Sequence, residues 1–398
     1  MNMEYAKPSY DHSIVSLLSL LKATFNGSEN TLPSSHCLNN EKYLNKLKDA
    51  QHIILLVIDG LGYNYVTKHP EFNTLNGNLL GCMESVFPTS TAPAITSFLT
   101  GNTPYEHGVC GWFQWFSRFG ILAKALPFQT RAGSIPLEKF GLHAEKCFDF
   151  ESFFSKIKTP SFNHTPVYIA NSPFNEYATR GATSVPYASP KELVSNILDT
   201  VKRCRSNSYH YAYYPQFDSI CHKFGLNSPE AQREAQNIDR WIESIHTGLK
   251  AHNAIAIVTA DHGMIDTQAS DRLRLNRFPE IYDLLTFPLS GEPRVSFCHV
   301  KRKHQHVFEE KFEEILGEYA YLMDSTEIIE NGWLGPTQAS RNQFLPHVLG
   351  DYTLIMKAQY TLSDVLPGES DPRFIGMHGG LSDDERLIPC IWLDADRL

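Results

Sequence analysis

Six residues of this chain pair metal-ligating chemistry with telling positions: Asp59, Asp218, His222, Asp261, His262 and His378. Asp218 and His222 are four apart in "DSICHKFG", so on a helical turn they share one face and suit one ion. Asp261 and His262 are adjacent where "AIAIVTADHG" leaves its apolar run, and can reach one ion or two neighbouring ones. His378 sits in "GMHGGLS" with Gly376, Gly379 and Gly380 around it, residues that permit close backbone approach. Three carboxylates and three imidazoles without a thiolate form an oxygen/nitrogen donor set. Such a set suits Zn²⁺, with Mn²⁺ or Fe as alternatives. With a hydroxyl added, it exceeds the needs of one tetrahedral ion and matches two ions about 4 Å apart, a phosphoryl-transfer arrangement.

The hydroxyl comes from "VFPTSTAPAITSFLTG", residues 86–101, which carries Thr89, Ser90, Thr91, Thr96, Ser97 and Thr100. The stretch begins as extended chain and continues as a helix with Pro93 in its first turn. A hydroxyl at Thr91 lies near the positive end of the helix dipole, where phosphate also binds. An alcohol is a poor nucleophile at neutral pH, and metal coordination activates it. Thr91 therefore reads as a nucleophile with Ser90 or Thr89 as caps, although spacing alone does not choose among the three.

The elements that must hold these groups follow from hydrophobic patterning. "HIILLVIDG" (52–60) and "AIAIVTADHG" (254–263) are continuous apolar runs that stop at a carboxylate, the pattern of strands buried on both faces of a parallel sheet. Ligands in open α/β sheets bind outside the carboxyl ends of the strands. "HYAYYPQFD" (210–218) reads as a further strand ending at an acid, weakened by Pro215. "SPEAQREAQNIDRWIESIHTGL" reads as a helix capped by Ser228, with Pro229 first and an apolar repeat of three and four residues. The expected fold is a three-layer α/β/α sandwich with a mostly parallel central sheet and a small α+β cap insertion. The expected division is 1–50 as an N-terminal helical segment opened near Asp11, 51–279 as the first part of the core, 280–352 as the cap and 353–398 as the end of the core.

Bulk composition sets limits. The 398 residues are 42% hydrophobic, enough for a large core, and 35 basic against 44 acidic side chains give a net charge of −9. That balance argues against general nucleic-acid binding. No stretch is long and apolar enough for a membrane span, and the start lacks the basic region of a signal peptide. The eight cysteines are scattered without a CxxC, which points to reduced thiols and a cytoplasmic location.

"VIDG", "FPTSTAPAITSFLTG", "EHGVCGW", "FDSICHKFG", "TADHGM" and "HGGLSDDE" occur in the order seen in the alkaline phosphatase superfamily. The sequence resembles most its type I phosphodiesterase / nucleotide pyrophosphatase branch. The resemblance implies two zinc ions, with Asp59, Thr91, Asp261 and His262 around one and Asp218, His222 and His378 around the other. It also implies Thr91 as nucleophile, because "PTST-x-P" matches the family's "PT-x-T-x-P". The chain departs at Trp112, where many family members carry an Asn that helps hold the phosphoryl oxygen. Trp112 at this position is a candidate substrate contact.

The implied function is hydrolysis of a phosphodiester or pyrophosphate bond in a small phosphate ester, nucleotides included. It would proceed through a phospho-threonine on a site of two divalent ions, Zn²⁺ first and Mn²⁺ second. The alternatives are a phosphomonoesterase, phosphonate or sulfate hydrolase on the same core, or a metal-stabilised interaction module of low activity. His107, His143, His246 and His252 read as ordinary core or surface residues. The aromatic run "GWFQWFSRF" (111–119) reads as packing first and a stacking wall second. "KRKHQH" (301–306) reads as a solvated basic face, and Arg294 and Arg341 as ion-pair partners or substrate clamps.

Overall fold

The structure is a computed structural model that describes residues 6–28, 36–369 and 373–395. The two apolar runs form the centre of its main sheet. His52–Ile58 (β1) is buried along its whole length, and so is Ala254–Thr259 (called β9 below). Leu79–Glu84 (β2), Ser161–His164 (β6), Ala182–Ser184 (β7), Ser208–Tyr214 (β8) and Leu387–Leu393 (β14) complete seven strands in the order β2-β14-β9-β1-β8-β6-β7. β1 pairs parallel with β8 and β9, and β6 pairs parallel with β7 and β8. Only β14 runs against its neighbours. The mostly parallel sheet is the one expected from runs that do not alternate.

Helices cover both faces. On one face, Phe25 of Ile14–Asn26 (α1) lies 5.2 Å from the Tyr209 ring, and Phe98 of Thr91–Thr100 (α2) lies 6.4 Å from Tyr211. On the other, Pro190–Arg203 (α3) packs against Pro229–Leu249 (α5), which reaches the sheet through Glu234, accepting from the Tyr214 hydroxyl at 2.6 Å, and through Trp241. Ser228 caps α5 as its sequence suggests, accepting from Ala231 N at 3.1 Å. α1 begins at Ser13 rather than Asp11, where Ser13 and Ser16 close a capping box.

Two expectations need correction. The strand read from "HYAYYPQFD" ends at Tyr214, not at the acid. Pro215 has no N–H for the ladder and instead starts Gln216–Phe224 (α4), which carries both Asp218 and His222. The cap is also larger than the 280–352 insertion. A second, wholly antiparallel sheet has the order β12-β13-β11-β10-β3-β4-β5. Its strands are Phe113–Phe116 (β3), Ile121–Lys124 (β4), Gln129–Thr130 (β5), Ser290–Gly291 (β10), Val295–Cys298 (β11), Ala320–Asp324 (β12) and Tyr352–Met356 (β13). The chain thus contributes to this sheet twice, once directly after α2 and once late. The aromatic run at 111–119 divides between roles: Trp115 stacks on Phe287 at 4.1 Å in this sheet, while Trp112 and Phe113 face the cavity described below.

β8 is fully buried yet carries His210 and four tyrosines. His52 Nδ1 lies 2.7 Å from Ser208 Oγ, Ser208 Oγ 2.8 Å from His210 Nε2, and His210 Nδ1 3.3 Å from His164 Nε2. This chain of buried partners suits neutral imidazoles. Burial pushes His164 down to about 3, and burial with the neighbouring His164 and His52 holds His210 well below its ordinary value. Burial likewise takes His107 down to about 3. All three titrate near 6.5 in the unfolded chain, which therefore binds more protons than the folded protein below that pH. Stability is full above pH 6.5 and falls by about 1.4 kcal/mol per pH unit for each such histidine as pH drops. The melting temperature should decline between pH 7 and pH 5 at constant ionic strength, and His164→Leu should make that decline shallower. An unchanged slope in the variant would show that His164 is not held neutral.

Candidate metal centre and nucleophile

The ends of β1 and β9 and the starts of α2 and α4 meet at the carboxyl edge of the main sheet, and the six candidate ligands converge there. Asp59 follows β1, and its Oδ2 accepts from the Tyr213 hydroxyl. Asp261 follows β9, and its Oδ1 accepts from Gly60 N at 3.1 Å and from His262 N at 2.9 Å. Their free oxygens, Asp59 Oδ1 and Asp261 Oδ2, each lie 3.4 Å from His262 Nε2. Thr91 is the first residue of α2, and its Oγ1 lies 3.2 Å from the same nitrogen.

A second group lies alongside. Asp218 Oδ1 is 3.3 Å from His222 Nε2 and 3.8 Å from His378 Nε2, and these two nitrogens are 3.3 Å apart. The His262 and His378 rings stack at 3.8 Å and join the groups. Four-apart spacing on α4 thus does what the sequence suggested: one helical face delivers a carboxylate and an imidazole to one point.

The donors are prepared for cations. His262 Nδ1 lies 2.9 Å from Gly263 O, and His222 Nδ1 lies 2.7 Å from Gly376 O. A carbonyl only accepts, so Nδ1 carries the proton and each Nε2 presents a lone pair to the centre. Asp59 Oδ1, Asp218 Oδ1 and Asp261 Oδ2 are buried without a hydrogen-bond partner, as is His378 Nδ1. Burial pushes the Asp59 carboxyl well above its usual range, and the charges of Asp261 and Asp218 add to this. Burial raises Asp261 as well. Orphaned carboxylate oxygens facing imidazole lone pairs are electrostatically unfavourable alone and well matched to cations between them. Ligand atoms of Asp59, Asp261 and His262 lie within 4.8 Å of one another, and so do those of Asp218, His262 and His378. The two groups share His262, and each could hold a divalent metal ion.

The hydroxyls around Thr91 are not caps. Ser90 occupies the N-cap position of α2, but its side chain makes no capping bond. It donates instead to Glu292 Oε1, and Thr89 Oγ1 donates to Gly380 O at 2.7 Å. Glu292 escaped the sequence reading. It lies in "GEPRVSF", where Arg294 drew attention, and nothing in the local pattern marks a buried acid. It is 7% exposed, and burial pushes it up to about 7. Its Oε1 also accepts from Trp112 N at 2.6 Å. Arg294 is an ion-pair partner and not a substrate clamp: it is fully buried against Glu385, with contacts of 3.0 and 2.7 Å. Glu385 in turn accepts from Gly380 N at 2.7 Å, fixing the loop that presents His378.

A cavity of about 830 Å³ opens over Thr91, Asp59, Asp218, His222 and His378, with Trp112 in its wall. The basic run at 301–306 and the exposed Arg341 lie outside that wall. His107 is a buried core residue between Ser97 Oγ at 3.1 Å and Val109 N at 3.0 Å. His246 is buried against Asp394 O, His143 is exposed and His252 half-buried.

Residues 53–381 match the family model described as type I phosphodiesterase / nucleotide pyrophosphatase. Ectonucleotide pyrophosphatase/phosphodiesterase family member 3 of Rattus norvegicus is 28% identical over 247 residues, covering 58% of this chain and 27% of the relative. Family member 7 of Rattus norvegicus is 24% identical over 276 residues, covering 61% of this chain and 59% of the relative. The match therefore spans between about a quarter and three fifths of these relatives. Among solved structures, murine ectonucleotide pyrophosphatase / phosphodiesterase 5 superposes with a TM-score of 0.63 at 18% identity, covering 85% of this chain and 87% of that one. An inactive form of the same murine protein in complex with AMP superposes equally well. The shared α/β fold agrees with the sandwich expected from sequence.

Crowded buried carboxylates predict a metal-dependent stability. Asp59→Asn should raise the melting temperature of the metal-free protein, by about 1 kcal/mol or more of relieved repulsion. It should shrink the gain on adding Zn²⁺. Calorimetric melting with and without a chelator checks both signs, and a variant less stable than wild type in chelator would contradict the repulsion.

Proposed function

Because this chain belongs to the type I phosphodiesterase / nucleotide pyrophosphatase family, we propose that it is a metal-dependent hydrolase of phosphodiester or pyrophosphate bonds. The observation that carries the reading is the convergence of the Thr91 hydroxyl on the same imidazole nitrogen as two orphaned carboxylates, at the N-terminus of a helix. Asp59, Thr91, Asp261 and His262 would hold one ion and Asp218, His222 and His378 the other, Zn²⁺ by donor chemistry with Mn²⁺ as the alternative. Bound there, the ions would offset the carboxylate charge and supply Lewis acidity to the phosphoryl group and its departing oxygen.

The chain's own residues then divide the work. The first backbone amides of α2, Thr91 N and Ala92 N, have no acceptor among the described residues and point to where a phosphoryl oxygen would sit. Thr91 Oγ1 attacks phosphorus and loses its proton to solvent, the phosphorus–oxygen bond to one ester arm breaks, and that arm leaves. Thr91 is left as a phosphoester. Attack of water on its phosphorus releases the second product and restores the hydroxyl. Nucleotide-type substrates are proposed from the family and from the AMP complex of the murine relative. The cavity volume and the Trp112 wall support the same class. Eight free thiols support a reducing, cytoplasmic location. Among the described residues, no helix is long and apolar enough to cross a membrane.

With Zn²⁺ supplied, bis-p-nitrophenyl phosphate should be cleaved faster than p-nitrophenyl phosphate. Thr91→Ala should lower that turnover by about 10³-fold or more while bound zinc is retained. Faster cleavage of the monoester would move the activity to the phosphatase side. Near-wild-type turnover in Thr91→Ala would remove the nucleophile assignment.

A further inference from the structure

The nucleophile helix lacks the cap its sequence provides, and the missing cap has a structural cause. Ser90 is the residue type that caps helices best, in the N-cap position and with the extended backbone the role requires (φ −137°, ψ 155°). An N-cap side chain accepts from the second or third helical N–H. The third residue of α2 is Pro93, which has none, so the Ser90 hydroxyl could cap only Ala92 N–H. It does not: the hydroxyl donates to Glu292, and although a donating hydroxyl keeps lone pairs able to accept, no bond from Ala92 N–H reaches it. Among the described residues, Ala92 N–H has no acceptor, and neither has Thr91 N–H beside it at the start of α2.

Glu292 comes from the other sheet and reaches this point through close backbone approach. Gly291 before it and Gly111 before Trp112 pack so tightly that a Cβ on Gly111 would lie 2.6 Å from Gly291 Cα. Glu292 N donates to Val295 O at 2.7 Å, and Ser296 Oγ donates to Glu292 O at 2.8 Å. The Trp112 amide shares the same carboxylate oxygen at 2.6 Å. The Glu292 backbone is thus tied at both its N–H and its carbonyl, and the Trp112 amide holds the carboxylate oxygen that meets Ser90.

We propose that Glu292 is a positioning residue that acts through Ser90: by holding the Ser90 hydroxyl away from the end of its own helix, it keeps the Ala92 amide open for a phosphoryl oxygen of the substrate. The inference rests on the reading of Thr91 as nucleophile and assigns a role to an acid outside the ligand set. Without Glu292, the hydroxyl turns back to cap Ala92 N–H, the site loses one donor, and the helix gains a cap. The active helix is therefore held in the less self-satisfied of two local states.

The test uses the zinc-loaded protein and two readouts, turnover of bis-p-nitrophenyl phosphate and calorimetric affinity for orthovanadate. Glu292→Ala should lower kcat by roughly 10²-fold, the scale of one lost oxyanion donor, and weaken vanadate binding, with KM moving much less. Glu292→Gln keeps an acceptor oxygen for Ser90 and should recover most of both. The double variant Ser90→Ala/Glu292→Ala has no hydroxyl to occupy the amide and should recover activity relative to Glu292→Ala alone. A double variant as impaired as Glu292→Ala would overturn the proposal, because loss would then not pass through Ser90. Unaltered vanadate affinity in Glu292→Ala would overturn it as well. Failure of the diesterase reading looks different: wild-type protein would not cleave the diester, while the ordering of vanadate affinities would still decide the role of Glu292.

Discussion

Everything at the carboxyl edge of the main sheet depends on one constraint: three carboxylates are held out of water within reach of one another. Two unit charges 4 Å apart repel by about 4 kcal/mol even at an effective dielectric constant of 20. Asp59 and Asp261 are 2% exposed or less, and each leaves one oxygen without a hydrogen bond. The remainder of the fold can be read as the means of supporting that unfavourable arrangement. Parallel strands β1 and β9 end side by side, so their terminal acids cannot separate. The oxygens not needed at the centre are tied to Tyr213, Gly60 and the His262 amide. Two of the three imidazoles, His262 and His222, are turned by backbone carbonyls so that lone pairs, not protons, face inward. Cations bound there would offset the charge that the arrangement otherwise leaves unbalanced.

A second theme is that the small antiparallel sheet is part of the site and more than a cover over it. The segment at 290–294 supplies Glu292 to the start of α2 and Arg294 to Glu385, which anchors the His378 loop. Gly380 could not carry a side chain, since a Cβ would lie 2.8 Å from both Arg294 Nη2 and Glu385 Oε2. Gly376 meets the Cys221 carbonyl on α4 in the same way, at 2.5 Å. The glycines around His378 therefore mark the places where the two sheets and α4 close on one another. A mutation in the second sheet can in this way reach the chemistry without touching a ligand.

Much of this was legible in the sequence, and the reasons are local. Apolar runs that fail to alternate identify buried parallel strands, and an acid directly after such a run identifies the site edge. Four-apart spacing identifies the helical pair Asp218 and His222. What the sequence could not display are partnerships set by tertiary approach. Ser90 is by type a cap, and only the arrival of a buried acid 202 residues later diverts it. Arg294 is the conspicuous residue of "GEPRVSF", yet its partner Glu385 lies 91 residues on, and the quieter Glu292 is the one that faces the cavity. The strand at 113–116 is the same kind of case on one edge, because its distant pairing partner Ser290–Gly291 is a two-residue strand with no periodicity to read.

The central claim is that the buried cluster is built for two divalent ions at the head of α2. The most direct measurement is anomalous diffraction at the zinc edge from crystals grown with Zn²⁺. The account predicts two peaks, one among Asp59, Thr91, Asp261 and His262 and the other among Asp218, His222 and His378. A single peak shared by all seven residues, or none, would contradict it.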